Sequence, residues 1–193
     1  MKIELKEIDS LLDDGIKQGS LNLLCSKAGM GKTTFALNLM SNNINDKIIT
    51  YFNFELSKDK LFERMSKLFD TDYTNKNIFV YKYDYNKTVD DIINKCIELK
   101  KSNMGLDLVI IDYIELISCE INTIRKKDFN SYILSKLYQL VKEYNITVIL
   151  VSLCQRTNKE ISINDLFLDK DSLDKLDNIF YLYNGNTVEI IKK

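Results

Sequence analysis

The run Ser26-Lys27-Ala28-Gly29-Met30-Gly31-Lys32-Thr33-Thr34 sets glycines, a lysine and hydroxyls at a spacing suited to holding phosphate. Glycine lets the backbone curl until successive N–H groups converge on phosphate oxygens, and a helix that starts at the loop adds the positive end of its dipole. In such an arrangement Lys32 reaches the β- and γ-phosphates and the Thr33 hydroxyl ligates Mg²⁺. Ser26 stands where the strict pattern has its first glycine, and a small residue still makes that turn. The loop requires a strand before it and a helix after it. The apolar run Leu21-Asn22-Leu23-Leu24-Cys25 and the helical pattern Phe35-Ala36-Leu37-Asn38-Leu39-Met40 supply both. Ser26, Ala28, Gly29, Met30, Gly31, Lys32, Thr33 and Thr34 are therefore the candidate contacts for a nucleoside triphosphate. A glycine-rich turn with a chance Gly-Lys-Thr is the competing reading, and it leaves the flanking elements unexplained.

Two carboxylates extend the chemistry. Asp112 closes the apolar stretch Leu108-Val109-Ile110-Ile111. A carboxylate there is costly without a partner, which a magnesium-bound phosphate would supply, so Asp112 is the second candidate metal residue beside Thr33. A helix-capping or turn aspartate is its alternative. Glu55 closes Tyr51-Phe52-Asn53-Phe54 on the same rim, where it could orient and deprotonate an attacking water. Ser57 followed by Lys58-Asp59-Lys60 reads as a helix N-cap, so a solvated turn residue is the alternative for Glu55.

The elements that must position these groups alternate along the chain. Strands are expected at 21–25, 47–53, 78–81, 107–112, 146–152 and 178–183. Helices are expected over 88–101, with Val89, Ile92, Ile93, Cys96 and Ile97 on one face, and over 129–144, with Phe129, Ile133, Leu137, Leu140, Val141 and Tyr144. Strands 107–112 and 146–152 are almost continuously apolar, as central parallel strands covered on both faces must be. The order implies an α/β, doubly wound, mostly parallel sheet with its ligand site at the carboxyl ends of the strands. Asn184-Gly185 reads as the turn of a C-terminal hairpin. Residues 1–193 read as one domain.

Composition narrows the partners. With 27 basic and 28 acidic residues the net charge is −1, so no global basic field points to nucleic acid. The chain has no histidine, and Cys25, Cys96, Cys119 and Cys154 are scattered, which excludes the usual structural zinc sites. Unpaired cysteines without a signal peptide point to a reducing cytoplasm. No apolar run approaches the roughly 20 residues of a membrane span.

Four segments in order resemble the RecA-like motor domain of the bacterial replicative hexameric DNA helicases, the DnaB type. They are Leu11-Leu12-Asp13-Asp14-Gly15-Ile16-Lys17-Gln18-Gly19-Ser20-Leu21 leading into the first strand, Gly29-Met30-Gly31-Lys32-Thr33-Thr34-Phe35-Ala36-Leu37-Asn38, Phe52-Asn53-Phe54-Glu55-Leu56-Ser57 with Arg64 beyond it, and Val109-Ile110-Ile111-Asp112-Tyr113-Ile114-Glu115-Leu116. Tyr113 sets this last segment apart from RecA and KaiC relatives, which usually carry serine there. The resemblance covers about residues 8–193 and implies a RecA-like P-loop ATPase using ATP and Mg²⁺, with Glu55 as the catalytic glutamate beside Lys32. It implies a hexamer-like homo-oligomer and single-stranded DNA gripped by Arg125, Lys126 and Lys127 in one loop and by Arg156 and Lys159 in another. Solvated basic loops are the alternative, since Glu120, Asp128 and Glu160 dilute both clusters.

The departures point the other way. Leu153 stands where the family places a sensor glutamine, with Gln155 two residues on, and Asp165-Leu166-Phe167-Leu168-Asp169-Lys170 replaces a more charged segment. No arginine follows Lys192-Lys193 in the sequence, where the family has its finger, and the family's N-terminal helical domain is expected to be absent. Slow hydrolysis by the chain alone is therefore expected. Two other readings stay open: an ATP-binding module that docks on a full-length replicative helicase, and a stand-alone KaiC-like or RadA-like regulatory ATPase.

Overall fold

The computed structural model describes Leu12 and residues 15–69, 77–84, 86–102, 104–118, 126–154, 166, 168–183 and 187–192, with backbone alone at 126, 127 and 192. Within them the strands are β1 (Leu21–Ser26), β2 (Ile49–Asn53), β3 (Ile78–Lys82), β4 (Leu108–Asp112), β5 (Thr147–Leu153), β6 (Asn178–Leu182) and β7 (Val188–Lys192). They form one sheet in the order β3-β2-β4-β5-β1-β6-β7. Every pairing is parallel except β6–β7, the two arms of the expected hairpin; its Asn184-Gly185 turn lies outside the described residues. Helices α1 (Lys32–Ser41), α2 (Lys58–Leu68), α3 (Val89–Lys101), α4 (Lys126–Tyr144) and α5 (Lys170–Lys175) connect them, with a 3₁₀ turn at Ile114–Leu116.

Alternation along β4 shows how the sheet is covered on both faces. Leu108 and Ile110 pack with Leu37, Met40, Leu61 and Met65 of α1 and α2. Val109 and Ile111 pack with Cys96, Ile133 and Leu137 of α3 and α4. Because both faces are apolar, a one-residue slip would cost little by pattern alone, so the register must be fixed elsewhere. Polar groups at the strand starts do this. The Asp107 carboxylate accepts from the Ile48 N–H at 2.9 Å, and the Asp177 carboxylate from the Leu21 N–H at 2.8 Å. Inside the sheet, Asn178 Nδ2 donates to Asn22 Oδ1 at 2.7 Å. The register these bonds hold sets Asp112 opposite Asn53 at the carboxyl rim.

The helix caps follow the local sequence. Ser57 caps α2, and Thr88 and Asp91 form a reciprocal capping box on α3. Helix α1 differs: its cap is Gly31 at φ 86°, which offers no side chain to cap the first-turn N–H groups. The expected elements agree with the observed ones to within a residue or two, except that α4 begins at Lys126 rather than 129. Lys126 and Lys127 therefore start a helix instead of lying in a loop.

Candidate functional site

At the carboxyl rim the chain leaves β1 at Ser26 and enters α1 at Lys32 through a turn that needs φ 78° at Gly29 and 86° at Gly31. A side chain is strained at both angles, so glycine is required there. The uncapped first turn of α1 opens on a cleft of about 400 Å³. Ala28, Gly29, Gly31, Lys32, Thr33, Thr34, Glu55 and Asp112 line it together, so most of the sequence-chosen residues meet in one place. Ser26 lies beneath the wall, and Met30 is not part of it.

Lys32 is only 8% exposed and folds into its own loop, its ammonium donating to the Lys27 carbonyl at 3.0 Å, Ser26 Oγ at 3.2 Å and the Ser26 carbonyl at 3.4 Å. Burial pulls its pKa below the usual lysine value, while Cys154 and the Asp112, Glu115 and Glu55 carboxylates pull back. Across the cleft, the Thr33 hydroxyl donates to Asp112 Oδ2 at 2.8 Å. Asp112 is 2% exposed. Burial raises its carboxyl above the normal range, against hydrogen bonds from Tyr51 and Thr33 and the charges of Lys32 and Arg64. The Asp112–Tyr113 peptide bond is cis.

Glu55 itself is exposed, yet the backbone on either side of it is fixed. The Phe54 N–H donates to the Asp112 carbonyl at 2.9 Å, and the Phe54 carbonyl accepts from Lys82 Nζ at 2.7 Å. On the other side, Asn53 Oδ1 accepts from the Leu56 N–H at 2.9 Å and Asn53 Nδ2 donates to the Leu56 carbonyl at 2.7 Å. Removing that two-bond bracket with Asn53→Ala is expected to lower unfolding stability by about 1–3 kcal/mol, read from a urea titration.

Sequence reasoning missed two groups and left a third without a place. Tyr51, buried in β2, donates from its hydroxyl to Asp112 Oδ2. Asn53 holds the turn just described. Arg64, which entered only beside a resembling segment, lines the cleft wall from α2. The available signal for Tyr51 was a hydroxyl-bearing aromatic in a strand that otherwise carries phenylalanine at 52 and leads to phenylalanine at 54.

The expected sensor position is apolar in the fold as well as in the sequence. β5 stays in register with β1 up to the Ser26–Leu153 pair, and Leu153 lines the cleft. The Glu115 carboxylate holds this strand end, accepting from the Ser152 hydroxyl at 2.5 Å and the Leu153 N–H at 2.9 Å. Gln155, Arg125, Arg156 and Lys159 lie outside the described residues, as do the side chains of Lys126 and Lys127.

The family described as DnaB-like helicase C terminal domain matches residues 1–71 and 66–166. The replicative DNA helicase DnaB of Helicobacter pylori strain J99 is 26% identical over 203 aligned residues, which take in 89% of this chain and 41% of the helicase. The chain thus spans about two fifths of the length of the curated relatives it matches. Among solved structures, a DnaB-like replicative helicase studied for its interactions with primase superposes with a TM-score of 0.78 at 22% identity, over 95% of this chain and 56% of that one. A KaiC-like protein from Pyrococcus horikoshii OT3 gives a TM-score of 0.70 at 19% identity, over 94% and 79%. At these identities the likeness establishes a RecA-like fold and nothing finer.

Proposed function

Because this chain belongs to the DnaB-like helicase C-terminal domain family, we propose that it is a RecA-like ATPase domain that binds ATP with Mg²⁺ in the rim cleft and hydrolyses it in support of DNA unwinding. The observation that carries this reading is the meeting of Lys32, Thr33, Asp112 and Glu55 around the open first turn of α1.

Each group has a distinct task. The α1 N-terminus and the loop N–H groups take the phosphate oxygens, and Lys32 exchanges its contacts with Ser26 and Lys27 for the β- and γ-phosphates. The donor set suits magnesium, because Thr33 and Asp112 are hard oxygen ligands side by side and the buried Asp112 charge calls for a cation. A magnesium ion held by these two oxygens would supply positive charge against the phosphates. Glu55, held by its bracketed backbone, orients the attacking water and accepts its proton. Phosphoryl transfer is chiefly positioning and charge stabilisation, so these groups matter steeply.

Single-stranded DNA contacts through Arg125, Lys126, Lys127, Arg156 and Lys159, and a hexamer-like assembly or a full-length helicase partner, complete the proposal. Among the described residues no helix is long and apolar enough to cross a membrane. The second reading, a nucleotide-binding module without efficient turnover, draws on Leu153, the apolar side chain that β5 contributes to the cleft wall. Steady-state ATP hydrolysis with and without single-stranded DNA separates the two. DNA-stimulated turnover supports the motor; nucleotide binding with background turnover in both conditions supports the module.

A further inference from the structure

The Tyr51 side chain is fully buried, and its hydroxyl meets Asp112 Oδ2 at 2.5 Å. Thr33 reaches the same oxygen at 2.8 Å, so two donors from different elements converge on Oδ2, and Oδ1 takes neither bond. The β2–β4 register pairs Tyr51 with Ile110 and Asn53 with Asp112, which places the Tyr51 ring on the same face as Asp112, one strand over and two residues back. A tyrosine side chain is long enough to cover that step.

We propose that Tyr51 is a positioning residue for the metal-binding carboxylate, its hydroxyl fixing Asp112 from inside the protein so that the carboxylate is set to take Mg²⁺. This rests on the reading of Asp112 as a magnesium residue given above. The chemistry of the donors favours it. A hydroxyl that gives its proton to Asp112 keeps its lone pairs, so the Thr33 bond persists while Thr33 oxygen ligates a metal. Thr33 alone would leave the carboxylate free to pivot about that one contact; a second donor on the same oxygen stops the pivot. The packing agrees. Phe52 and Phe54, the other aromatic residues of this segment, meet ring neighbours such as Tyr83, and the one hydroxyl-bearing ring of the three is the one whose tip reaches a carboxylate. Buried phenolic hydroxyls need an acceptor, and ligands of bound metals are commonly oriented by just such outer partners.

The test compares the full chain with Tyr51→Phe, which keeps the ring and removes only the hydroxyl. The probe is N-methylanthraniloyl-ADP, titrated by fluorescence anisotropy once with Mg²⁺ and once with EDTA, and the readout is the ratio of the two affinities. Tyr51→Phe is expected to leave the EDTA affinity within about twofold while reducing the Mg²⁺-dependent gain about tenfold, the low end for a hydrogen bond to a charged group. In an Asp112→Asn background the same substitution is expected to leave the ratio unmoved, because the positioned carboxylate is gone. A Tyr51→Phe ratio equal to that of the parent chain, with parent gain intact, overturns the inference alone. No Mg²⁺-dependent gain in the parent chain overturns the magnesium role of Asp112 and the inference with it. Equal losses with Mg²⁺ and with EDTA also overturn it, since they mark a general packing defect.

Discussion

Lys32→Ala is expected to weaken ATP binding by about two to four orders of magnitude. Lys32 is 8% exposed, and removing one partner of a buried ion pair costs about 3–5 kcal/mol, at about 1.4 kcal/mol for each tenfold. The check is thermal unfolding with and without Mg²⁺–ATP. At a ligand concentration about a hundredfold above Kd, binding contributes about 2.7 kcal/mol, which raises Tm by about 5–11 °C for a chain of this size. In the variant the shift at the same concentration should fall below about 2 °C. The unliganded Tm should change far less than the ligand shift, because burial already disfavours the charged ammonium in the free chain. A full ligand shift in the variant removes Lys32 from the phosphate site.

Glu55→Gln is expected to separate binding from chemistry. Glutamine keeps the size and the bracketed backbone but cannot take a proton. Turnover should fall about 10²- to 10⁴-fold, the span of general acid–base contributions, while nucleotide affinity stays within about twofold. Single-turnover hydrolysis, with and without single-stranded DNA, measures this directly. Such a loss confined to kcat identifies Glu55 as the base. Unchanged turnover transfers that role to another group, and a parallel loss of affinity makes Glu55 a binding residue.

What the sequence made legible is what its chemistry keeps local. The phosphate loop is contiguous, and its strand, glycines and helix follow one another within a short stretch. Central strands were visible because parallel strands covered on both faces must be apolar throughout. Asp112 and Glu55 were legible because polar residues closing apolar strands mark a rim. The start of α4 was not legible, since Lys126, Lys127 and Asp128 add no apolar period to the pattern that begins at Phe129. Tyr51 was hidden for another reason: its partner lies 61 residues away, and only the β2–β4 register brings the two together. Asn53 looked like one more strand residue because its bonds go to a turn whose geometry no periodicity encodes.

Strand order gives β5 a mechanical role. It lies between β4, which ends at the proposed metal carboxylate, and β1, which ends at the phosphate loop. Its tip is tied to both: the Cys154 N–H holds the Ser26 carbonyl at 3.0 Å, and Ser152 and Leu153 hold Glu115 on the turn that follows Asp112. Paired along its length on either side, this strand resists bending and transmits a push or pull along its axis as a rod does. Because one strand end bonds both walls, the phosphate loop and the turn after Asp112 keep a fixed offset, and sliding either along the strand axis would break these bonds.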